Sequence, residues 1–148
     1  MKEEFDRYFS AIDISSVVKQ RIQDIYNEIK VLYNLDEIDD VLVCDVITNG
    51  TRNLINLWFF HANIVIECKD FIDKDDFDLA QLDKNVAYFN IKKQNYKLEN
   101  EFKADSSIVV DVVLNFGGSC NLMGTGANCK YVTDIARKYF VNKIISQA

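Results

Sequence analysis

The chain has no proline among its 148 residues and only five glycines, where average usage near 5% would place about seven prolines. Rigid turn markers are therefore missing, and Asn-Gly and Gly-Gly pairs have to carry the turn signals. Abundant Asn, Ile and Lys beside that absence fit the coding bias of an AT-rich genome, so no structural purpose is read into it. Also missing is an apolar run able to cross a bilayer. The longest, 57–66, is interrupted by His61 and Asn63 and falls far short of the roughly 20 residues required. Met1-Lys2-Glu3-Glu4 lacks the cationic and apolar stretches of a signal peptide, so the expectation is a cytoplasmic protein with no membrane insertion. His61 is the single histidine, which rules out a His-rich metal site. Cys44, Cys68, Cys120 and Cys129 contain no C-x-x-C pair. Neither zinc nor a disulfide framework is indicated, and the expectation is four reduced, buried or half-buried thiols and no metal or cofactor.

What is present is ordinary globular composition: 49% apolar and 27% charged residues. A chain of this length suffices for one core burying roughly 68–70% of the unfolded surface. Residues 1–35 read as two helices parted near Asp13 to Ser16, where Ser15 or Ser16 can accept hydrogen bonds from the first free amides of the second. In that helix Val18, Ile22, Ile25, Ile29 and Leu32 recur at steps of 4, 3, 4 and 3, with Tyr26 and Tyr33 alongside. Two heptads are too few for an autonomous coiled coil. The seam either docks on the chain's own sheet or pairs with another chain, and it is the candidate interaction surface.

Acidic residues Asp36, Glu37, Asp39 and Asp40 lead into β structure over 41–48, 53–60 and 64–69. Asn49-Gly50 between the first two runs is a strong hairpin signal. Imperfect alternation in 41–48 suggests that part of this strand is covered on both faces. A polar, acidic loop is expected over 70–85, then a strand over 86–93, a turn at Gln94-Asn95, a short strand over 96–99 and a polar connection over 100–106. Residues 107–115 alternate cleanly, with Ile108, Val110, Val112 and Leu114 on the buried face. After Gly117-Gly118 the chain resumes as a strand to Gly124 and enters a helix near Asn128, with Val132, Ile135, Ala136, Tyr139, Phe140 and Ile144 on one face.

Several sites fail on spacing. Counted from Asp73, a calcium loop would need a ligand at the fifth position, glycine at the sixth and glutamate at the twelfth, where the chain has Phe77, Asp78 and Lys84. Gly124 and Gly126 do not make a phosphate loop. No serine sits in G-x-S-x-G and no second histidine can pair with a cysteine, so no catalytic residue is assigned and no enzymatic activity is expected.

Charge is uneven. Residues 36–83 hold 12 acidic residues against Arg52, Lys69 and Lys74, a local charge of −9, while residues 130–148 hold Lys130, Arg137, Lys138 and Lys143 against Asp134, a local charge of +3. These four cations are the candidate charged partner surface, with a dipole-favoured basic helix end as the plainer explanation. A net charge of −6 argues against nucleic acid, whose backbone demands a basic stripe.

Strands in antiparallel succession, the Gly117-Gly118 turn and a closing helix from Asn128 resemble the pleckstrin-homology-like superfold, in its bacterial and GRAM-type members, over about residues 38–148. The expected fold is α+β: a small antiparallel β-barrel or bent sheet over 36–148, capped by a C-terminal helix, with residues 1–35 as a helical extension. The resemblance implies phosphoinositides, or peptides lying along a sheet edge or against the C-terminal helix. Its lipid-binding members hold phosphates with several basic residues around the first hairpin, whereas this hairpin offers only Arg52, so phosphoinositide is disfavoured. The resulting expectation is a non-catalytic binding module for a protein or peptide, with a possible homodimer through the N-terminal helix. The alternative is a small-molecule sensor or inhibitor domain using a pocket in the barrel.

Overall fold

The computed structural model describes residues 1–82, 86–96, 102–114 and 117–147. Two helices come first, α1 (Glu3–Ala11) and α2 (Ser16–Leu32). Ser15 caps α2, its side chain accepting the Val18 amide at 3.3 Å. A four-stranded antiparallel sheet follows in the order β1 (Asp40–Thr48), β2 (Thr51–His61), β3 (Ile64–Cys68), β4 (Phe77–Gln81). The second sheet is β5 (Val86–Tyr96), β6 (Phe102–Leu114), β7 (Ser119–Thr125). The C-terminal helix runs as α3 (Asn128–Ala136), a π-helical turn (Arg137–Val141) and α4 (Asn142–Gln147). Asn49 and Gly50 both have positive φ, 53° and 77°, and Thr48 pairs Thr51 across them, as a two-residue type I′ turn requires.

Cross-strand rows of the first sheet show why β1 alternates poorly. One face carries Val41–Phe59–Ile66 and Val43–Leu57–Cys68 and lies against the N-terminal helices: Tyr26 of α2 contacts Phe59 with ring centroids 6.1 Å apart, and Phe5 of α1 meets Tyr26 edge-on. The opposite face carries Leu42–Trp58–Glu67 and Asp40–Phe60–Val65. Phe60 stacks on Tyr139 at 4.4 Å and meets Phe140 edge-on. Residues Val41 to Asp45 are consequently all buried. Helices, both sheets and the C-terminal helix contribute to one core.

Three local expectations fail. The 70–85 segment is not all loop, because β4 forms within it: Leu79 pairs Ile66 and Phe77 pairs Cys68, an alternation hidden among acidic residues. No turn occurs at Gln94-Asn95; β5 runs through to Tyr96, and β6 starts at Phe102 within the expected 100–106 connection, since Tyr96 pairs Phe102 in one long hairpin. The expected strand over 96–99 lies mostly outside the described residues. The barrel is not closed either. Among the described residues β1 and β7 share no backbone ladder; a β-bulge between Val43 and Asp45 instead lets side chains of β1 take amides of β7. Met123 N donates to Cys44 Sγ at 3.5 Å and Thr125 N to Asp45 Oδ1 at 3.1 Å. The result is two antiparallel sheets and not a barrel. Gly124 sits where β7 meets α3, and a Cβ there would approach Val132 Cγ2 to 2.7 Å.

Candidate functional site

Three features concentrate polar or exposed apolar groups. The first is a buried cluster where β1, β7, α1 and the start of α3 meet. Asp45 is fully buried and accepts from Thr125 N, from the Thr125 hydroxyl, from Asn128 Nδ2 at 2.8 Å and from Arg52 Nε at 2.9 Å. Arg52 also donates to Ile12 O at 2.7 Å, tying the β1–β2 hairpin to the end of α1. Asn128 donates to Val43 O, and its Oδ1 accepts from Tyr8 Oη at 2.8 Å; Tyr8 in turn accepts the Val43 amide at 2.9 Å. Burial pushes the Tyr8 phenol well above its ordinary range, so it stays a neutral donor. A buried carboxylate with four donors is a satisfied structural group. Its chemical capacity is spent on holding four elements together.

The second feature is an apolar groove of about 360 Å³ between β5 and the C-terminal helix, lined by Tyr88, Phe89, Val141, Ile144 and Ile145. Among the described residues β5 pairs only with β6, so its outer edge carries no strand. Phe89 faces inward beside Val112, while Tyr88 is 56% and Ile145 67% exposed. The π-helical turn ends at Val141, within this wall of the groove. Such a turn inserts one residue into the helix and rotates the residues C-terminal to it. The turn itself carries buried Tyr139 and Phe140 and half-buried Val141, and α4 beyond it carries half-buried Ile144. Lys92 and Lys93, further along β5, are exposed.

The third is a cleft of about 590 Å³ between the inner face of β2, β3 and β4 and the turn region joining β6 to β7. Trp58, Val65, Ala80, Leu114 and Cys120 supply its apolar lining. Asn56, Glu67, Asp70 and Asp78 supply most of its polar groups. The Asn56 amide is fixed at both ends, donating to Glu67 Oε2 at 3.0 Å and accepting the Asp70 amide at 3.1 Å. Burial, reinforced by Asp78 and Asp76, raises the Glu67 carboxyl above its ordinary value, opposed by Lys69; that lysine is itself held by Asp78 at 2.6 Å. Trp58 is 2% exposed, and the Cys44 thiol is the one weak partner of its indole N–H among the described residues. The Cys44 thiol beside it is pushed up to about 12 by burial and stays neutral, a weak acceptor.

Residues singled out from the sequence fall elsewhere. Ile22, Ile25 and Ile29 are fully buried against the chain's own sheet, Val18 packs partly on that core, and Leu32 is 58% exposed. Lys138 reaches Asp40 at 2.7 Å and Arg137 approaches Asp134 at 4.0 Å, while Lys130 is exposed. The Lys143 side chain lies outside the described residues. All four cysteines are buried thiols, none in a disulfide, and burial also pushes Cys120 up to about 12. Among the described residues no three potential ligands converge on a metal position, and no helix is long and apolar enough to cross a membrane. Sequence reasoning passed over Asp45, Trp58, Glu67 and Asn128. For Asp45 a signal existed, a carboxylate inside the apolar run 41–47. No protein-family model, curated protein or solved structure matches the chain.

Proposed function

We propose that this protein is a non-catalytic binding module that takes an extended segment of a partner protein along β5, with an apolar side chain seated against the C-terminal helix. The observation that carries this reading is the groove itself. Exposed Tyr88 and Ile145 flank half-buried Phe89, Val141 and Ile144 at a strand edge that carries no ladder among the described residues. An extended peptide gains main-chain hydrogen bonds from such an edge and specificity from the adjoining apolar pocket. Exposed Lys92, further along the same strand, favours an acidic residue next to the anchor. The division into four and three strands with a helix across one opening supports the pleckstrin-homology-like resemblance, and the same resemblance favours peptide over phosphoinositide because Arg52 is engaged by Asp45 and Ile12. Ile22, Ile25 and Ile29 are spent inside the core, so the reading uses the groove and not the α2 seam.

Panning a phage-displayed random peptide library on the whole chain and on an Ile145→Asp variant tests it. Ile145 is 67% exposed, so the variant folds. Enriched sequences should share an apolar residue flanked by Asp or Glu and should lose binding to the variant. Enrichment of sequences that bind both proteins equally overturns the assignment.

A further inference from the structure

The geometry points to a second site, independent of the β5 groove: the inter-sheet cleft receives a small organic cation, an ammonium or guanidinium on an apolar stem, with Glu67 as its anchor. The volume of about 590 Å³ lies within the 300–1,000 Å³ span of ligand pockets, and the lining joins five apolar side chains to a larger polar set in which Glu67, Asp70 and Asp78 outnumber the single cation Lys69. Glu67 is the group that demands a ligand. It stands half-buried in the row Trp58–Glu67–Asp78 on the cleft face of the sheet. Among the described residues its one hydrogen bond comes from Asn56 and no basic side chain pairs with it, the nearby Lys69 being bound to Asp78. A carboxylate withdrawn from water without a cation is unfavourable, and a cation entering the cleft would restore the balance with a charge-assisted hydrogen bond. Asp70, whose ion pair with Lys74 is a long 3.9 Å, adds to the attraction, and the Trp58 ring belongs to the same lining. The cation has two sources, a free amine or a Lys or Arg side chain of a partner protein.

Trp58 is the only tryptophan in the chain, so its fluorescence and its indole N–H resonance report on this cleft alone. The full chain is titrated with agmatine and, separately, with Nα-acetyl-lysine amide. A saturable change at Trp58 with agmatine alone assigns the site to free amines; one with the lysine amide, alone or with both probes, assigns it to a side chain of a partner. Glu67→Gln, which keeps the shape and the Asn56 contact, should weaken binding roughly tenfold or more, the loss of one charge-assisted hydrogen bond, while Asp134→Asn, outside the cleft, should leave it unchanged. Should Glu67→Gln fail to fold, Asp70→Asn supplies the same comparison, because asparagine tolerates the positive φ of 49° at that position. No saturable change at Trp58 with either probe, or equal affinity in wild type and cleft variant, overturns the proposal.

Discussion

Replacing Asp45 with alanine is the most demanding test of how this fold is held together. The carboxylate is fully buried and accepts hydrogen bonds from Thr125 N, the Thr125 hydroxyl, Asn128 Nδ2 and Arg52 Nε. Alanine leaves all four without their acceptor. Two escape most of the penalty: the Thr125 hydroxyl can rotate, and Arg52, 32% exposed and still bonded to Ile12 O, can turn toward water. The Thr125 amide and Asn128 Nδ2 cannot, and a buried donor stranded in this way costs about 1–3 kcal/mol. Together with the small cavity the loss should be about 3–5 kcal/mol, the range for removing one partner of a buried ion pair. Against a total stability of about 5–15 kcal/mol this is a large share. Asp45→Asn should cost less, about 1.5–3 kcal/mol, because its oxygen can keep Thr125 N and Asn128 while its amide faces the Arg52 donor. Urea denaturation followed by circular dichroism measures both. A loss under about 1 kcal/mol for Asp45→Ala at unchanged m-value would show that the cluster does not fasten β1 to β7 and α3, and that apolar contact alone does.

Phe140, fully buried and edge-on to Phe60, should cost about 3–5 kcal/mol as Phe140→Ala by thermal denaturation, whereas Lys138→Ala should lose no more than the roughly 0–1 kcal/mol of its exposed pair with Asp40. Gly124→Ala should destabilise by about 1–3 kcal/mol by chemical denaturation, because its Cβ would meet Val132 at 2.7 Å; a neutral result would mean that β7 and α3 separate freely. All four cysteines are buried and none is in a disulfide, with Cys44 and Cys120 pushed up to about 12, so a thiol reagent at pH 8 should react slowly with native protein and count four thiols in denaturant. Burial raises the Glu67 carboxyl above its ordinary 4.5, so between that value and its folded one the native state holds the extra proton. Its contribution therefore falls as pH rises through the window, and Glu67→Gln should be the more stable protein at neutral pH, the difference closing as the pH drops below 4.5.

The sequence made some of these relations readable and hid others for definite reasons. Asn49-Gly50 announced its hairpin because positive φ at both positions suits those two residues. The apolar faces of α2 and of residues 107–115 were legible because helix and strand periodicities differ. β4 was obscured by composition: Asp73, Asp75, Asp76 and Asp78 read as loop, although a strand at a sheet edge needs only one apolar face. Gln94-Asn95 looked like a turn, but pairing of β5 with β6 down to Tyr96–Phe102 overrides local preference. The β5 groove was out of reach, since it joins residues about 55 positions apart and includes the end of a π-helical turn that no 3.6-residue pattern foretells. Trp58 and Glu67 are nine residues apart in sequence yet direct neighbours in the sheet, a relation that only register reveals.

Register also explains why the two proposed sites occupy different places on one scaffold. On the inner face of the first sheet, the row Asp40–Phe60–Val65–Ala80 lies where the C-terminal helix reaches it, with Phe60 against Tyr139 and Phe140 and with Asp40 bonded to Lys138 and the Tyr139 hydroxyl. The adjoining row, Leu42–Trp58–Glu67–Asp78, lies two residues further along, roughly 7 Å at strand spacing, and turns from apolar to acidic as it passes from β1 to β4. A row covered by a helix has to be apolar or paired, and Asp40 is paired. A row beyond the helix is free of that constraint and can keep Glu67 half-buried and Asp78 at the rim. Because β1 and β7 are fastened by side chains of the Asp45 cluster and Cys44, not by a ladder, the two sheets do not close into a barrel that would fill this space. The C-terminal part of the same helix carries Ile144 and Ile145, which form the groove with β5. Loosening the helix at Asn128 should therefore weaken the groove, while the Trp58–Glu67 row, outside the helix footprint, should respond to its own ligand with the groove blocked by Ile145→Asp.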